Sequence, residues 1–260
     1  MDEHALVARI ARATSLLVAT DFDGTIADIT TEPDGARARA DALSALSALA
    51  ALPGVHLAVV SGRDMKSLHE RTRALVSVYR VAEHGAFLEA PDGTQLGAAH
   101  VAPARVLDEL VRLAEAHHAR VPGMRVERKT SSVAVHVREV EPDARAAAVE
   151  MLAAFRRAAR AAELVVIDGR QVVEARDPRA SKETALAFVL SRLPEGTFVV
   201  YAGDDTTDEG AIALARQRGG AGIYVASAER PTPNVEADLV LPGPPAWAEL
   251  LERIARARSS

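Results

Sequence analysis

Cysteine is absent from this 260-residue chain, which excludes disulfides, thiolate metal sites and cysteine nucleophiles in one step. Metal chemistry would therefore need oxygen or imidazole ligands. Aromatic residues are scarce at 3%, and Ala/Arg-rich stretches that resemble low complexity take their place. A basic surplus is also lacking: 31 Lys and Arg face 36 Asp and Glu, a formal net charge of −5, which argues against a nucleic-acid binder. The arginines are scattered among alanines in expected helices, a pattern of solvated helix surface. No run approaches the roughly 20 apolar residues of a membrane span. Residues 1–15 place acidic side chains before their apolar positions and carry no unbroken apolar core, unlike a secretory signal. A soluble cytoplasmic protein is the expectation. Internal repeats at solenoid periods are missing as well. So are Gly-x-x-x-x-Gly-Lys-Ser/Thr and Gly-x-Gly-x-x-Gly, which leaves a P-loop or a dinucleotide site without its signature.

What is present is 48% apolar residues, ample for burial, in a length that suits a main domain with a smaller one inserted. Short apolar runs at 16–19, 55–60, 78–82, 198–202, 223–225 and 239–241 alternate with helical patterns, the rhythm of a parallel α/β sheet. Helices are expected over 41–51, over 64–76 with Ser61 or Asp64 as cap, and over 181–193. From about 103 to 177 the rhythm changes to helix (103–120), strand (125–137), helix (142–162) and two strands (164–168, 171–175), with Asp168-Gly169 read as the hairpin turn. This predicts an α+β domain at 103–177 inserted into an α/β core of 1–102 and 178–260.

Within the core, Asp21-Phe22-Asp23-Gly24-Thr25 follows the apolar run Leu16-Leu17-Val18-Ala19. Both carboxylates can project past the C-terminal end of that strand, where parallel sheets place their ligands, and Gly24 permits a sharp turn. An acidic, solvated turn is the plain alternative. Ser61-Gly62-Arg63 gathers a hydroxyl, a flexible residue and a guanidinium at another strand end, although such a serine is also a common helix cap. Lys182 opens a helix, where a positive charge is disfavoured by the dipole unless an anion is near; a surface lysine is the alternative. Gly203-Asp204-Asp205-Thr206-Thr207-Asp208-Glu209 concentrates acidic and hydroxyl groups beyond a fourth run. His117-His118 lacks partner ligands at metal spacing and reads as solvated.

In this order the four stretches resemble the four motifs of the haloacid dehalogenase (HAD) superfamily: Asp-x-Asp-Gly-Thr, Ser/Thr, Lys and Gly-Asp-x-x-x-Asp. The resemblance implies a Rossmann-like α/β core. It implies that Asp21 is a covalent nucleophile toward phosphorus and that Asp23 is the acid/base. Lys182 would be the third catalytic residue, with Ser61, Gly62 and Thr25 around the phosphate. Mg²⁺ would be held by Asp21, the Asp23 carbonyl and Asp204, with Asp205 and Asp208 nearby. The insert between the second and third motifs would be a C2-type cap that closes over substrate.

The insert resembles the trehalose-6-phosphate phosphatase family. Glu127-Arg128-Lys129 matches its Glu-x-Lys, His136-Val137-Arg138 its His-x-Arg, and Glu174-Ala175-Arg176 its Glu-x-Arg. Glu83-His84-Gly85-Ala86 matches its His-Gly segment, and residues 29–34 its loop after the first motif. The resemblance implies substrate contacts at Arg63, His84, Glu127, Lys129, His136, Arg138 and Glu174. It implies release of trehalose and phosphate from trehalose 6-phosphate, and association with a trehalose-phosphate synthase as a partner. Another sugar phosphatase of the same cap type, for sucrose phosphate or a mannosyl phosphoglycerate, and a catalytically silent sugar-phosphate binder are the alternatives. The chain departs from the family at Phe22, where Tyr is common, at Glu183, where Gly is common, and in the approach 177–181. Glu183 beside Lys182 would either alter its ionisation or point away.

Overall fold

Residues 16–19 are apolar without a break because both faces of their strand are covered, the sequence mark of an interior parallel strand. The computed structural model describes residues 2–30, 35–98, 101–169 and 171–259. The chain separates into two compact units, residues 1–97 with 181–260, and residues 98–180. The divisions fall a few residues outside the insert expected at 103–177, since neither junction carries a periodic pattern to mark it.

The first unit is built on an eight-stranded sheet, in chain order β1 (Leu16–Asp21), β2 (Val55–Val60), β3 (Val78–Ala82), β4 (Phe87–Glu89), β5 (Gln95–Ala98), β10 (Phe198–Gly203), β11 (Ala221–Val225) and β12 (Leu239–Leu241). The spatial order is β12-β11-β10-β1-β2-β3-β4-β5, so the chain runs outward from β1 in both directions. Pairs from β12 across to β3 are parallel, and β4 returns antiparallel on β3. The short pieces β4 and β5 escape sequence reading because neither has a long apolar run. Alternation along β1 sends Leu16 and Val18 to one core and Leu17 and Ala19 to the other. The first core is closed by α1 (Glu3–Ala11), α2 (Ala40–Ala50), α3 (Met65–Thr72) and α8 (Pro244–Ser259) through Leu6, Leu46, Leu49, Leu68, Trp247 and Leu251. The second is closed by α6 (Lys182–Leu190) and α7 (Glu209–Gln217) through Leu186, Val189 and Ile212. Asp64, not Ser61, caps α3, its carboxylate accepting from the Ser67 amide at 2.8 Å.

The second unit contains α4 (Ala104–Glu115), β6 (Arg125–Arg128), β7 (Ser132–His136), α5 (Arg145–Ala161), β8 (Val165–Gly169) and β9 (Val172–Arg176). Its four strands form an antiparallel sheet in the order β6-β7-β9-β8. The single strand expected over 125–137 is two, because the chain reverses at 129–131 and pairs Arg128 with Val133. The turn expected at Asp168-Gly169 lies farther on: Gly169 is still paired with Val172, and Gln171 takes the positive φ (55°) that the reversal needs. One sheet face, carrying Val133, Val135, Val173 and Ala175, packs on Leu107, Leu110, Met151 and Phe155 of the two helices. The opposite face carries Glu127, Ser132, His136, Glu174 and Arg176, since side chains alternate and cross-strand partners share a face.

Candidate active site

β1 is the strand from which the chain departs in both directions. Loops leaving its neighbours β10 and β2 therefore diverge and open a crevice at its C-terminal end. Asp21 ends β1, Ser61 follows β2 and Asp204 follows β10, so three of the four motifs reach this crevice from adjacent strands. The fourth arrives with α6. Ser181 caps that helix by accepting from the Thr184 amide at 3.0 Å, and Lys182 is its first residue. Its ammonium donates to Asp21 Oδ1 at 2.7 Å and to Asp208 Oδ1 at 2.8 Å, and the Lys182 side chain is only 3% exposed. The anion anticipated for a lysine at a helix start is thus a pair of carboxylates.

Asp21, Asp204 and Asp208 bring carboxylate oxygens within 4.8 Å of one another in buried surroundings. One ammonium faces three carboxylates, so the cluster retains excess negative charge. Burial, together with Asp208, Asp204 and Asp23, pushes the Asp21 carboxyl well above the ordinary range, against the pull of Lys182. Lys182 is raised as well: burial disfavours its charge, but Asp208 and Asp21 outweigh it and hold the ammonium above ordinary lysine. A divalent cation with oxygen ligands fits the carboxylates of Asp21 and Asp204 at this cluster. Gly24 matters here, because its φ of 80° and the Asp204 carboxylate, 2.2 Å from where a Cβ would stand, leave no room for a side chain.

The remaining acidic residues divide their tasks. Asp208 receives Lys182 and the Tyr201 hydroxyl (2.5 Å) on Oδ1, and the Asp205 amide (3.1 Å) on Oδ2. Asp205, expected near the metal, turns elsewhere: Oδ1 accepts from the Thr206 amide at 2.8 Å and pairs with Arg230 at 3.0 Å. Capping the short turn at Thr206–Asp208 needs that carboxylate more than the crevice does. Glu183 lies against Gly210 of α7, which answers whether it crowds Lys182.

Asp23 is more exposed and is gripped in a two-pronged ion pair by Arg63, Nε to Oδ2 at 2.8 Å and Nη2 to Oδ1 at 2.6 Å. The same guanidinium stands 5.4 Å from the centre of the Phe22 ring. Ser61 is fully buried and its hydroxyl accepts from the Arg63 amide at 3.2 Å; Thr25 is equally buried. Glu83 and His84 both adopt positive φ (45° and 57°), a strained pair held by amide bonds to Arg63 O and Ser61 O. That strain delivers the His84 ring against Gly62, 2.4 Å from the position of a Cβ there. Two supports were not foreseen. Tyr201 is a hydroxyl-bearing residue inside an apolar strand, and Trp247 donates its indole N–H to Thr20, whose hydroxyl donates to the Asp21 carbonyl. The only sequence signal for either was a polar atom in a run otherwise suited to burial.

In the second unit, Glu127 Oε2 and His136 Nε2 are 2.7 Å apart, and Arg125 is 3.7 Å from the same carboxylate. The His136 bond holds the Glu127 carboxyl below its ordinary value, with help from Lys129 and against burial. Lys129 reaches Glu174 Oε2 at 3.3 Å and Ser132 donates to Oε1 at 2.6 Å. Arg138 lies past the end of β7 and is exposed, off the row formed by the others. Residues 31–34 of the loop after the first motif lie outside the described residues.

The sequence model of the trehalose-phosphatase family matches residues 19–245. The chain belongs to this family. It is 36% identical over 242 residues to a trehalose-phosphate phosphatase of Mycobacterium bovis, a match that covers 91% of this chain and 60% of the relative, so the chain spans well under two thirds of that protein's length. In fold, this trehalose-phosphatase family member is similar to the C-terminal domain of a trehalose-6-phosphate phosphatase from C. albicans, with a TM-score of 0.82, 20% identity and coverage of 98% and 97% of the two chains. It is also similar to a phosphatase of the HAD enzyme superfamily from Bacteroides thetaiotaomicron, with a TM-score of 0.62, 16% identity and coverage of 93% and 95%. The family member thus shares the α/β fold of these phosphatases, with a separate antiparallel sheet. Among the described residues no helix is long and apolar enough to cross a membrane.

Proposed function

We propose that the chain hydrolyses trehalose 6-phosphate to trehalose and phosphate, with Asp21 as the nucleophile. The observation that carries this reading is the buried Lys182 bridge between Asp21 and Asp208 at the divergence point of the sheet, in a chain of the trehalose-phosphatase family. A carboxylate attacks phosphorus only when ionised, and burial works against that state here. Lys182 supplies one of the compensating charges. Asp21, Asp204 and the Asp23 carbonyl would hold Mg²⁺, which supplies the remaining positive charge and polarises the phosphoryl oxygens. Asp208 then serves Lys182 rather than the ion, since donors already meet both of its oxygens.

In the proposed sequence an Asp21 oxygen bonds to phosphorus while the bond to the sugar oxygen breaks, and Asp23 gives that oxygen its proton. The aspartyl-phosphate is then opened by a water from which Asp23 takes a proton, restoring both groups. Arg63 orients Asp23 for both transfers, and one carboxylate oxygen must come free of it for the proton to move. Ser61 and Thr25 donate hydroxyls to phosphoryl oxygens, and the Gly62 backbone lets them approach. Arg63, His84, Glu127, Lys129, His136 and Glu174 contribute substrate contacts, with Arg138 at the margin. Association with a trehalose-phosphate synthase and a cytoplasmic setting belong to the same reading. The test is phosphate release from a panel of sugar phosphates with and without chelator. Trehalose 6-phosphate should lead the panel and chelator should abolish turnover; preference for a glucose or sucrose phosphate would refute the substrate, and chelator-resistant turnover the metal.

A further inference from the structure

Arg176 closes β9 with its backbone paired to Ser132 on one side and Val165 on the other. It points to the polar face of the second unit's sheet, because Ala175 and Val173 occupy the helix-packed face. Only 5% of the residue is exposed, yet among the described residues its buried Nε and Nη1 have no hydrogen-bond acceptor. Such a group is costly to bury, and native proteins leave few of them without an unseen partner. The carboxylate that acts on it, Glu174, does not fill the role. Glu174 already accepts Ser132 on Oε1 and Lys129 on Oε2, and its charge acts on Arg176. Burial pulls the guanidinium below the ordinary arginine value, so the present surroundings disfavour its charge.

The missing partner must bring oxygen lone pairs to a face that already carries Glu127 and Glu174. Those carboxylates are already met by Lys129, His136 and Arg125, so the face needs no further full charge, and neutral hydroxyl oxygens suffice to receive the two donors. We propose that Arg176 is a specificity-determining residue that donates hydrogen bonds to hydroxyl oxygens of the sugar whose phosphate ester is cleaved. The assignment rests on the sugar-phosphatase reading above. It explains why a guanidinium is tolerated in this position: a polyol supplies acceptors that the folded protein lacks, and a substrate without them gains nothing from the residue.

The test compares wild type, Arg176→Met and Arg176→Lys on trehalose 6-phosphate and on p-nitrophenyl phosphate, with thermal unfolding of each. For Arg176→Met the expected result is a Tm no lower than wild type, kcat/KM for the sugar ester reduced at least tenfold with most of the change in KM, and kcat/KM for p-nitrophenyl phosphate within twofold. Arg176→Lys, which keeps the charge with fewer donors, should fall between, and it carries the same comparison if Arg176→Met fails to fold. An equal fall on both esters, or unchanged sugar kinetics, overturns the proposal and leaves the sugar-phosphatase reading standing. Wild type that cleaves p-nitrophenyl phosphate but no sugar phosphate overturns that reading and this proposal with it.

Discussion

Lys182 and Lys129 each stand opposite a carboxylate, but in unlike surroundings. Lys182 is 3% exposed between Asp21 and Asp208, while Lys129 is 17% exposed and meets Glu174 at 3.3 Å, beyond the best hydrogen-bond range. Breaking a fully buried pair leaves a bare charge in a poor solvent; breaking one at the edge of solvent lets water replace part of what is lost. The first unit therefore commits its charges to one geometry. The second keeps a row of paired donors and acceptors nearer to solvent, an arrangement suited to exchanging them for a ligand's.

The widest separation should come from chemistry. Asp21→Asn is expected to reduce phosphate release at least about a thousandfold with the fold retained, since a nucleophile has no substitute; residual turnover within tenfold of wild type would end the covalent mechanism. Next is stability, by urea unfolding near neutral pH. Lys182→Met should cost about 3–5 kcal/mol, and Lys129→Met clearly less. Equal losses would erase the contrast between the two lysines. A smaller effect is expected from cation binding: Mg²⁺ at one hundred times its Kd should stabilise wild type by about 2.7 kcal/mol, and Asp204→Asn should lose most of that gain. Retention of the full gain in Asp204→Asn would move the ion elsewhere.

Smallest is the Glu127–His136 pair, worth less than about 1 kcal/mol in its half-exposed setting. The folded-state carboxyl of Glu127 is held below its ordinary 4.5. Its contribution is therefore complete above that pH and is lost as pH falls through the lowered value. The Tm difference between wild type and Glu127→Gln should shrink to nothing in acid; a difference that grows there would reverse the sign.

Much of the core could be read from adjacency alone. Asp21, Ser61 and Asp204 each follow an apolar run, and parallel strands place such residues at one end. Lys182 was marked by its unfavourable place at a helix start, which two carboxylates resolve. Asp205 could not be told from Asp204 in this way, because a capping carboxylate and a ligand share residue type and position. Tyr201 and Trp247 were hidden for the opposite reason: in an apolar stretch a large aromatic is ordinary, and only its partner across the fold reveals the polar atom's use. The reversal at 129–131 was missed because alternation continues on both sides of it. Arg176 carried no sign that its guanidinium would be buried, since that depends on what surrounds the end of β9.

Trp247 is the single tryptophan, and it is fully buried one hydroxyl away from the Asp21 backbone. The tyrosines, Tyr79, Tyr201 and Tyr224, lie in the same unit, so residues 98–180 contain neither fluorophore. Ultraviolet emission is thereby an unlabelled reporter with one address. Excitation at the indole edge follows the surroundings of β1, while the antiparallel sheet of the second unit stays dark. Melting of the two units can accordingly be followed apart in native protein, fluorescence for one and far-ultraviolet dichroism for their sum.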